Sequence, residues 1–268
     1  MKDPQSSPWD EVAAGVFRRR YASLDLNIGL ILGGDGALVI DTRASHGQAR
    51  ELRDEIARMT ALPIRWVVNT HYHWDHVFGN ALFPEAEIWG HVHCRDFLRA
   101  RGEEAKQGAL EWVGEANRAA IEEVEIVAPS HTVDPRGSID LAGRSVAIEW
   151  VGRGHTDSDV VVTVSDAPVL FAGDLLENGA PPYFGDGFPL AWQDTANELR
   201  LRAPAVTVPG HGDVMSPADV AGQADEIALV AAACAEGLAT GMFDPREGPY
   251  PPETMRSAWE RAQREARS

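Results

Sequence analysis

The stretch Asn-Thr-His-Tyr-His-Trp-Asp-His, residues 69–76, contains four side chains of types that bind metal ions. These four are His71, His73, Asp75 and His76. The stretch follows the apolar run 64–68, which predicts a strand, so we expect a loop that carries the four side chains at the strand's end. In an extended loop, residues two apart point the same way, so the first two histidines can bind one ion. The last two side chains follow where the chain turns into a helix, and they can face a second ion.

Three further residues of ligand type share one sequence context, in which an apolar run is followed by a glycine and then by the ligand. They are His155 after the run that ends at Val151, Asp174 after Val169–Phe171, and His211 after Ala205–Val208. Glycine lets the backbone turn tightly, and α/β proteins collect site residues at strand ends. We therefore expect these three side chains to join the histidine-rich loop. Imidazole and carboxylate groups suit Zn²⁺, Fe²⁺ or Mn²⁺.

In combination, the motifs of this chain resemble those of the metallo-β-lactamase superfamily. They are VIDT at 39–42, THYHWDH at 70–76, GHT at 154–156, GD at 173–174 and GH at 210–211, in that order. The resemblance covers most of the chain and implies an α/β fold, the four-layer αββα sandwich. We expect one domain over residues 1–268, with an N-terminal extension at 1–15 and a C-terminal tail at 243–268.

The resemblance also implies a complete set of ligands for two metal ions. It assigns His71, His73 and His155 to the first ion, Asp75, His76 and His211 to the second, and Asp174 as a bridge between both. It further implies that Asp41 orients one of the ligands without binding metal itself. The implied cofactors are two Zn²⁺ ions, with iron or manganese as alternatives.

The implied activity is hydrolysis of a small ester, lactone, lactam or thioester by a metal-bridged hydroxide, with Asp75 and Asp174 as the catalytic residues. The alternative is a non-haem iron oxidoreductase of the same fold, similar to the persulfide dioxygenases. Several known branches fit poorly. The bridging residue is an aspartate rather than the cysteine of one lactamase branch, glyoxalase II has a glycine that is absent after Thr156, and quorum-quenching lactonases carry a tyrosine where this chain has Glu177. The chain resembles most the bacterial hydrolases of the superfamily outside these branches.

Other polar and aromatic residues have weaker interpretations. We expect His91 and His93 to open a helix after a strand as a cap or surface pair, and the lone His46 and His131 to have surface roles. Aromatic residues near the motifs can line a pocket and favour a substrate with an apolar portion. They are Trp74, Tyr183 and Phe184 as possible substrate contacts, with Phe188 and Trp192 near them. The segment 178–190 is either a plain connection or a loop that faces the substrate and acts as a lid.

Composition narrows the choice of partners. The formal net charge of −17 opposes binding to nucleic acid or to an anionic membrane surface. The family resemblance implies a small-molecule substrate. The apolar runs are too short to cross a bilayer, and residues 1–15 lack the apolar centre of a secretory signal. The two cysteines, Cys94 and Cys234, lie far apart and outside any CxxC pair, so we expect no disulfide and a cytoplasmic protein. The oligomeric state stays open.

The pattern of apolar residues predicts alternating strands and helices. Glycines at 33–36 predict a hairpin turn between two apolar runs. Predicted helices cover 46–60, about 92–123 with breaks, 194–202 and 217–238, and predicted strands cover 64–68, 87–89, 138–141, 145–151, 160–164, 169–171 and 205–208. A short charged helix in the tail is expected to pack on the outside.

Overall fold

A computed structural model describes residues 8–267 of the chain. The strands are β1 (Asp10–Ala13), β2 (Val16–Tyr21), β3 (Leu26–Leu32), β4 (Ala37–Ile40), β5 (Ile64–Val68), β6 (Glu87–His91), β7 (His131–Val133), β8 (Arg136–Asp140), β9 (Ser145–Trp150), β10 (Val160–Val164), β11 (Val169–Asn178) and β12 (Val206–Gly212). The helices are α1 (His46–Met59), α2 (Trp74–Val77), α3 (Val92–Trp112), α4 (Glu115–Glu122), α5 (Pro189–Arg202), α6 (Pro217–Thr240) and α7 (Pro252–Glu265).

The strands form two half-sheets that meet at one seam. Their order is β7-β6-β5-β4-β3-β12-β11-β10-β9-β8, with β2 and β1 continuing from the side of β3. At the seam, β3 and β12 pair antiparallel through Leu26 and His211. Strands β1 to β7 therefore belong to an N-terminal half, and strands β8 to β12 to a C-terminal half.

Apolar side chains divide the molecule into layers. One buried cluster joins the inner faces of both halves, with Leu38 and Val68 from the N-terminal half and Ile148 and Val162 from the C-terminal half. A second cluster packs α1 onto the outer face of the N-terminal half, and a third packs α5, α6 and α7 onto the outer face of the C-terminal half. Each half-sheet thus buries both faces, one against its partner and one against helices. The predicted αββα sandwich is confirmed.

The hairpin turn predicted at 33–36 is present, and it also joins the two halves. The N–H of Gly34 donates to the carbonyl of Leu141, 2.8 Å away, in the turn after β8. A Cβ added to Gly33 would lie 2.3 Å from the Cβ of Leu141, so only glycine fits at this approach. The turn and the seam lie at opposite ends of β3, and the halves are therefore in contact at both.

The predicted helix α1 and strand β5 agree closely with the structure, whereas the N-terminal extension does not. Residues 10–13 of that extension form β1, which pairs with β2, and residues 1–7 lie outside the described part of the chain. Strands β11 and β12 also run past the predicted ends. The pairing of β11 with β12 shifts register after Phe171 and after Gly173, and it resumes at Glu177 and Asn178. Irregularities of this kind change the direction of the side chains without ending the strand.

The C-terminal tail packs on the outer helices as expected, but it is more deeply buried than a surface appendage. Met255, Ala258 and Ala262 of α7 lie in the core cluster shared with α5 and α6. Glu265 accepts hydrogen bonds of 2.9 Å from the N–H groups of Leu190 and Ala191 and so caps the start of α5. Within residues 8–267, no helix has the length and apolar character needed to cross a membrane.

Candidate metal centre

All seven ligand-type residues selected from the sequence lie together at the seam between the halves. One group contains His71, His73, His155 and Asp174, and the other contains Asp75, His76 and His211. Within each group the potential ligand atoms lie within 4.8 Å of one another. The N-terminal half supplies four of these residues and the C-terminal half supplies three.

The Asp174 carboxylate lies between the two groups. Its Oδ2 is 3.3 Å from Nε2 of His155 and 3.6 Å from Nε2 of His71, both in the first group. Its Oδ1 is 3.2 Å from Nε2 of His76, and its Oδ2 is 3.3 Å from Nε2 of His211, both in the second group. A carboxylate in this position can bridge two ions.

The spacing and the unsatisfied atoms of the centre fit metal ions. Ligands about 2.1 Å from one tetrahedral ion are separated by roughly 3.4 Å. Most distances here are close to that value, although Nε2 of His155 and Nδ1 of His73 are nearer, at 2.7 Å. Nε2 of His71 and Oδ1 of Asp174 are buried and have no hydrogen-bond partner. Leaving buried polar atoms unpaired is costly, and a bound cation would satisfy both.

Electrostatic conditions in the centre also favour cations. Burial alone would lower the pKa of His211, but the Asp174 and Asp75 carboxylates raise that pKa to about 10. Burial and the neighbouring His76 instead hold the pKa of His71 well below its usual value. Burial opposes ionisation of Asp174, yet the surrounding imidazoles, His76 first, hold its pKa well below the usual range. The carboxylates thus draw positive charge into the centre, and metal ions would take the place of the bound protons.

Close packing of β11 against β12 brings Asp174 and His211 together. Asp174 lies within β11 and His211 within β12, so both strands continue past the ligands instead of ending before them as expected. A Cβ on Gly210 would lie 1.8 Å from Oδ1 of Asp174. The glycine that precedes His211 therefore leaves room for the carboxylate between the strands.

Asp41 occupies the orienting position that the resemblance implied. Its carboxylate accepts hydrogen bonds of 2.8 Å from the N–H and the hydroxyl of Thr70, and its Oδ2 is 2.8 Å from Nδ1 of His76. Because a carboxylate facing Nδ1 favours a proton on that nitrogen, Nε2 of His76 is left to face the centre. Asp41 has a φ of 64°, a strained conformation that persists only where its surroundings enforce it.

Carbonyl groups hold two other candidate ligands in the same way. Nδ1 of His155 donates to the carbonyl of Tyr183 at 3.1 Å, and Nδ1 of His211 donates to the carbonyl of Leu24 at 2.7 Å. A carbonyl can only accept, so Nδ1 carries the proton in both rings. Each Nε2 consequently faces the centre, where it could bind a metal ion that takes the place of a proton.

The sequence reasoning missed Asp186, which holds His73. Its two carboxylate oxygens lie 3.0 and 3.1 Å from Nε2 of His73, and the Tyr72 hydroxyl donates to it at 3.0 Å. Arg261 of α7 donates to the backbone carbonyls of Asp186 and Gly187 and so fixes this loop from the tail. The sequence Gly185-Asp186 does repeat the glycine-then-ligand pattern, but without a strand before it.

The remaining histidines lie outside the two groups. His91 caps α3, and its Nδ1 accepts from the N–H of His93 at 3.3 Å. His93 faces Asp157, with its Nδ1 3.3 Å from a carboxylate oxygen. The expected cap is therefore confirmed for His91, whereas the alternative of a surface pair is wrong for that residue because it is buried; His93 alone of the two is exposed. His46 accepts from the N–H of Glu125. Cys94 and Cys234 are buried and free, as expected.

The predicted aromatic contacts divide into two kinds. The Tyr183 ring lies 6.2 Å from the His73 ring and is 42% exposed, and Trp74 is partly buried beside the ligands. Phe184 is 1% exposed and packs against the fully buried Trp192 in the core. The prediction that Phe184 contacts the substrate is wrong, because its ring anchors the loop instead.

A buried histidine and carboxylate centre at the seam of an αββα sandwich defines a class of metal-binding α/β proteins. The family model for the metallo-beta-lactamase superfamily matches residues 24–211, and the chain belongs to this superfamily.

Individual relatives are distant. A type 2 metallo-beta-lactamase of Bacteroides fragilis is 20% identical over 189 residues, which span 69% of this chain and 68% of that protein. A solved metallo-beta-lactamase from Pontibacter korlensis is 18% identical, with a TM-score of 0.67 over 82% of this chain and 98% of the other. The DIM-1 metallo-beta-lactamase exposed to ceftazidime is 17% identical, with the same TM-score over 85% of this chain and 99% of the other. These structures show that the fold is shared.

Proposed function

We propose that this protein is a hydrolase that depends on two Zn²⁺ ions and acts on a small ester, lactone, lactam or thioester. The observation that carries the proposal is the position of the Asp174 carboxylate, within 3.6 Å of imidazole nitrogens from both ligand groups. Membership of the superfamily and the unsatisfied Nε2 of His71 support it.

The two ions, when bound, would supply a water of lowered pKa as nucleophile and an electrophile for the carbonyl oxygen of the substrate. His71, His73 and His155 would hold one ion and Asp75, His76 and His211 the other, with Asp174 between them. Asp75 is the second catalytic residue in this proposal. Its Oδ2 lies 3.4 Å from Nε2 of His211, at the edge of the second group, where it can also accept a proton from the attacking water.

The chemistry of the chain supports a small substrate. The net charge of −17 disfavours nucleic acid and anionic membranes as partners. The relatives are named metallo-beta-lactamases, so a lactam belongs among the candidate substrates. Location in the cytoplasm stays a prediction based on the two free cysteines.

A metal analysis combined with a substrate panel tests the proposal. Elemental analysis of the purified protein should find close to two zinc ions per chain. The protein should hydrolyse at least one of 4-nitrophenyl acetate, γ-butyrolactone, a chromogenic cephalosporin and S-ethyl thioacetate, and a chelator should abolish the activity until Zn²⁺ is restored. Bound iron with iron-dependent oxygen uptake and no hydrolysis would instead assign the protein to the oxidoreductases of this fold.

A pair of matched variants controls for indirect effects. Asp75→Asn removes a charged ligand and is expected to reduce turnover strongly, whereas Asp194→Asn makes the same change at an exposed position of α5 and should leave turnover unaltered. Equal activity of the two variants would contradict the role of Asp75.

A further inference from the structure

A large aromatic side chain stands in solvent near the candidate metal centre. Trp112 is the last residue of α3 and is 68% exposed. Its ring meets the ring of Tyr183 edge to face, with centroids 5.6 Å apart and planes at 83°. Edge-to-face packing is a favoured geometry for aromatic pairs, so this contact gives the tryptophan a defined position although most of its surface faces water.

Tyr183 connects Trp112 to the ligands. The Tyr183 ring lies 6.2 Å from the His73 ring and 6.1 Å from the His155 ring. Trp112, Tyr183 and these two imidazoles therefore form a row of rings from solvent to the centre. A molecule bound with its reactive group at the centre would meet the two outer rings first.

The backbone around Tyr183 fixes the position of that ring. Its N–H donates to Oε1 of Glu177 at 3.1 Å, and its carbonyl accepts from Nδ1 of His155 at 3.1 Å. The next residue, Phe184, is anchored in the core. These contacts fix the backbone from which the Tyr183 ring projects, so less conformational entropy is lost when a ligand packs on that ring.

We propose that Trp112 and Tyr183 form a binding surface for an aromatic ring on the acyl portion of the substrate, with the scissile carbonyl at the metal centre. The inference rests on the proposed hydrolase function and narrows its substrate class. Neutral aromatic groups fit because the exposed part of the surface is itself aromatic, and offset or edge packing of rings adds to the burial of apolar area.

The test compares the selectivity of variants between two thioesters. The substrates are S-ethyl thioacetate and the S-ethyl thioester of 4-phenylbutanoic acid, and thiol release is followed with a disulfide reagent. Trp112→Ala is expected to lower the ratio of kcat/KM for the phenylbutanoyl over the acetyl substrate by about tenfold, mainly through KM. Trp112→Phe keeps a ring and should restore most of the ratio. Leu229→Ala removes another exposed apolar side chain, from α6 and remote in sequence from the row, and should leave the ratio unchanged.

A binding measurement separates failure of this inference from failure of the proposed function. Saturation-transfer NMR with 4-phenylbutanoate reports contact of its ring with the metal-loaded protein whether or not any thioester is cleaved. Transfer that is lost in Trp112→Ala and kept in Leu229→Ala supports the aromatic surface, even if absent hydrolysis overturns the proposed function. An unchanged selectivity ratio and unchanged transfer in Trp112→Ala would overturn the aromatic surface while leaving the hydrolase proposal standing.

Discussion

Asp174 lies between the two groups of candidate ligands. Its removal should therefore lower the number of metal ions that the two groups hold together. In Asp174→Ala, each group keeps three ligand-type residues, but the buried charge that faces both is gone. We expect the bound metal to fall from about two ions toward one and turnover to drop by at least about a hundredfold. Elemental analysis and initial rates on the same preparations measure both effects.

His93→Ala is the control for that variant, since His93 lies outside both groups and faces Asp157. It should bind metal and turn over substrate like the parent protein. Loss of metal in His93→Ala with retention in Asp174→Ala would show that the ligand assignment is wrong.

Asp186 should tune the affinity of the first group without touching an ion. Its carboxylate holds Nε2 of His73, so that Nδ1 faces His155 and the centre. Asp186→Asn keeps the size but removes the charge, and a change of this kind costs about 10- to 100-fold in metal affinity. Competition with a chromogenic zinc chelator measures the loss, and Asp194→Asn serves as the exposed control. An affinity equal to that of the control would mean that packing alone orients His73.

The sequence predicts which ligand-type residues lie together better than it predicts the groups that support them. His71, His155 and Asp174 follow local rules of spacing and glycine context, which a single sequence displays. Asp186 acts on a residue 113 positions away, and that contact depends on how the loop and the tail helix dock. The misassignment of Phe184 has the same origin, because an aromatic residue beside a motif can face either the site or the core.

At the scale of elements, the start of α3 should respond to pH through His91. This cap is 3% exposed, and burial, followed by the nearby His93, lowers its pKa to about 4. In the unfolded chain, the pKa of histidine is near 6.5. Below that pH the unfolded state therefore binds a proton that His91 does not bind in the folded state. The contribution of neutral His91 to the free energy of unfolding is fully present above pH about 6.5. It decreases as the pH falls toward 4, and about 2 kcal/mol is lost at pH about 5.

Urea unfolding of His91→Asn at pH about 5 and about 7.5 measures this contribution, because asparagine keeps a capping side chain but does not titrate. On acidification, the free energy of unfolding of the variant should fall by about 2 kcal/mol less than that of the parent protein. The same substitution at the partly exposed His131 is the control. Identical losses in parent and His91→Asn would exclude the cap as the titrating group.

Elements with strong local signals are the ones the sequence predicts well. Helix α1 has apolar residues at helical spacing and Ser45 as its cap, and it ends within one residue of the predicted boundary. Strand β11 has no such end signal. It continues through Asn178 because pairing with β12 resumes beyond the irregularities, and a partner strand is not visible in the local sequence. The short β7, which pairs with β6, was missed for the same reason.

At the scale of the whole molecule, bound metal should cross-link the two halves. The loop at 69–76 belongs to the N-terminal half, whereas His155, Asp174 and His211 belong to the C-terminal half. A ligand present at about a thousandfold excess over its Kd stabilises the folded state by about 4 kcal/mol. Removal of metal should therefore lower Tm by about 10 °C for a chain of this length, and Zn²⁺ should restore it. Calorimetry before and after chelation measures the shift, and an unchanged Tm would argue against ions shared between the halves.

The glycine turn at 33–36, at the end of β3 away from the ligand-type residues, fixes how the two halves lie against each other. Gly33 contacts Leu141 with no room for a side chain. A methyl group at this position would therefore push the two halves apart at the end away from the ligand-type residues. If β3 moves as a rigid strand, the resulting tilt of the N-terminal half would displace Leu26, which pairs with His211 at the other end of β3. Gly33→Ala should thus weaken zinc binding from the opposite end of the sandwich, while Gly108→Ala in α3, where an added Cβ meets nothing within 4 Å, should leave zinc binding unchanged. Zinc titration of the two variants compares them, and equal affinities would mean that the halves bend locally instead of tilting as rigid bodies.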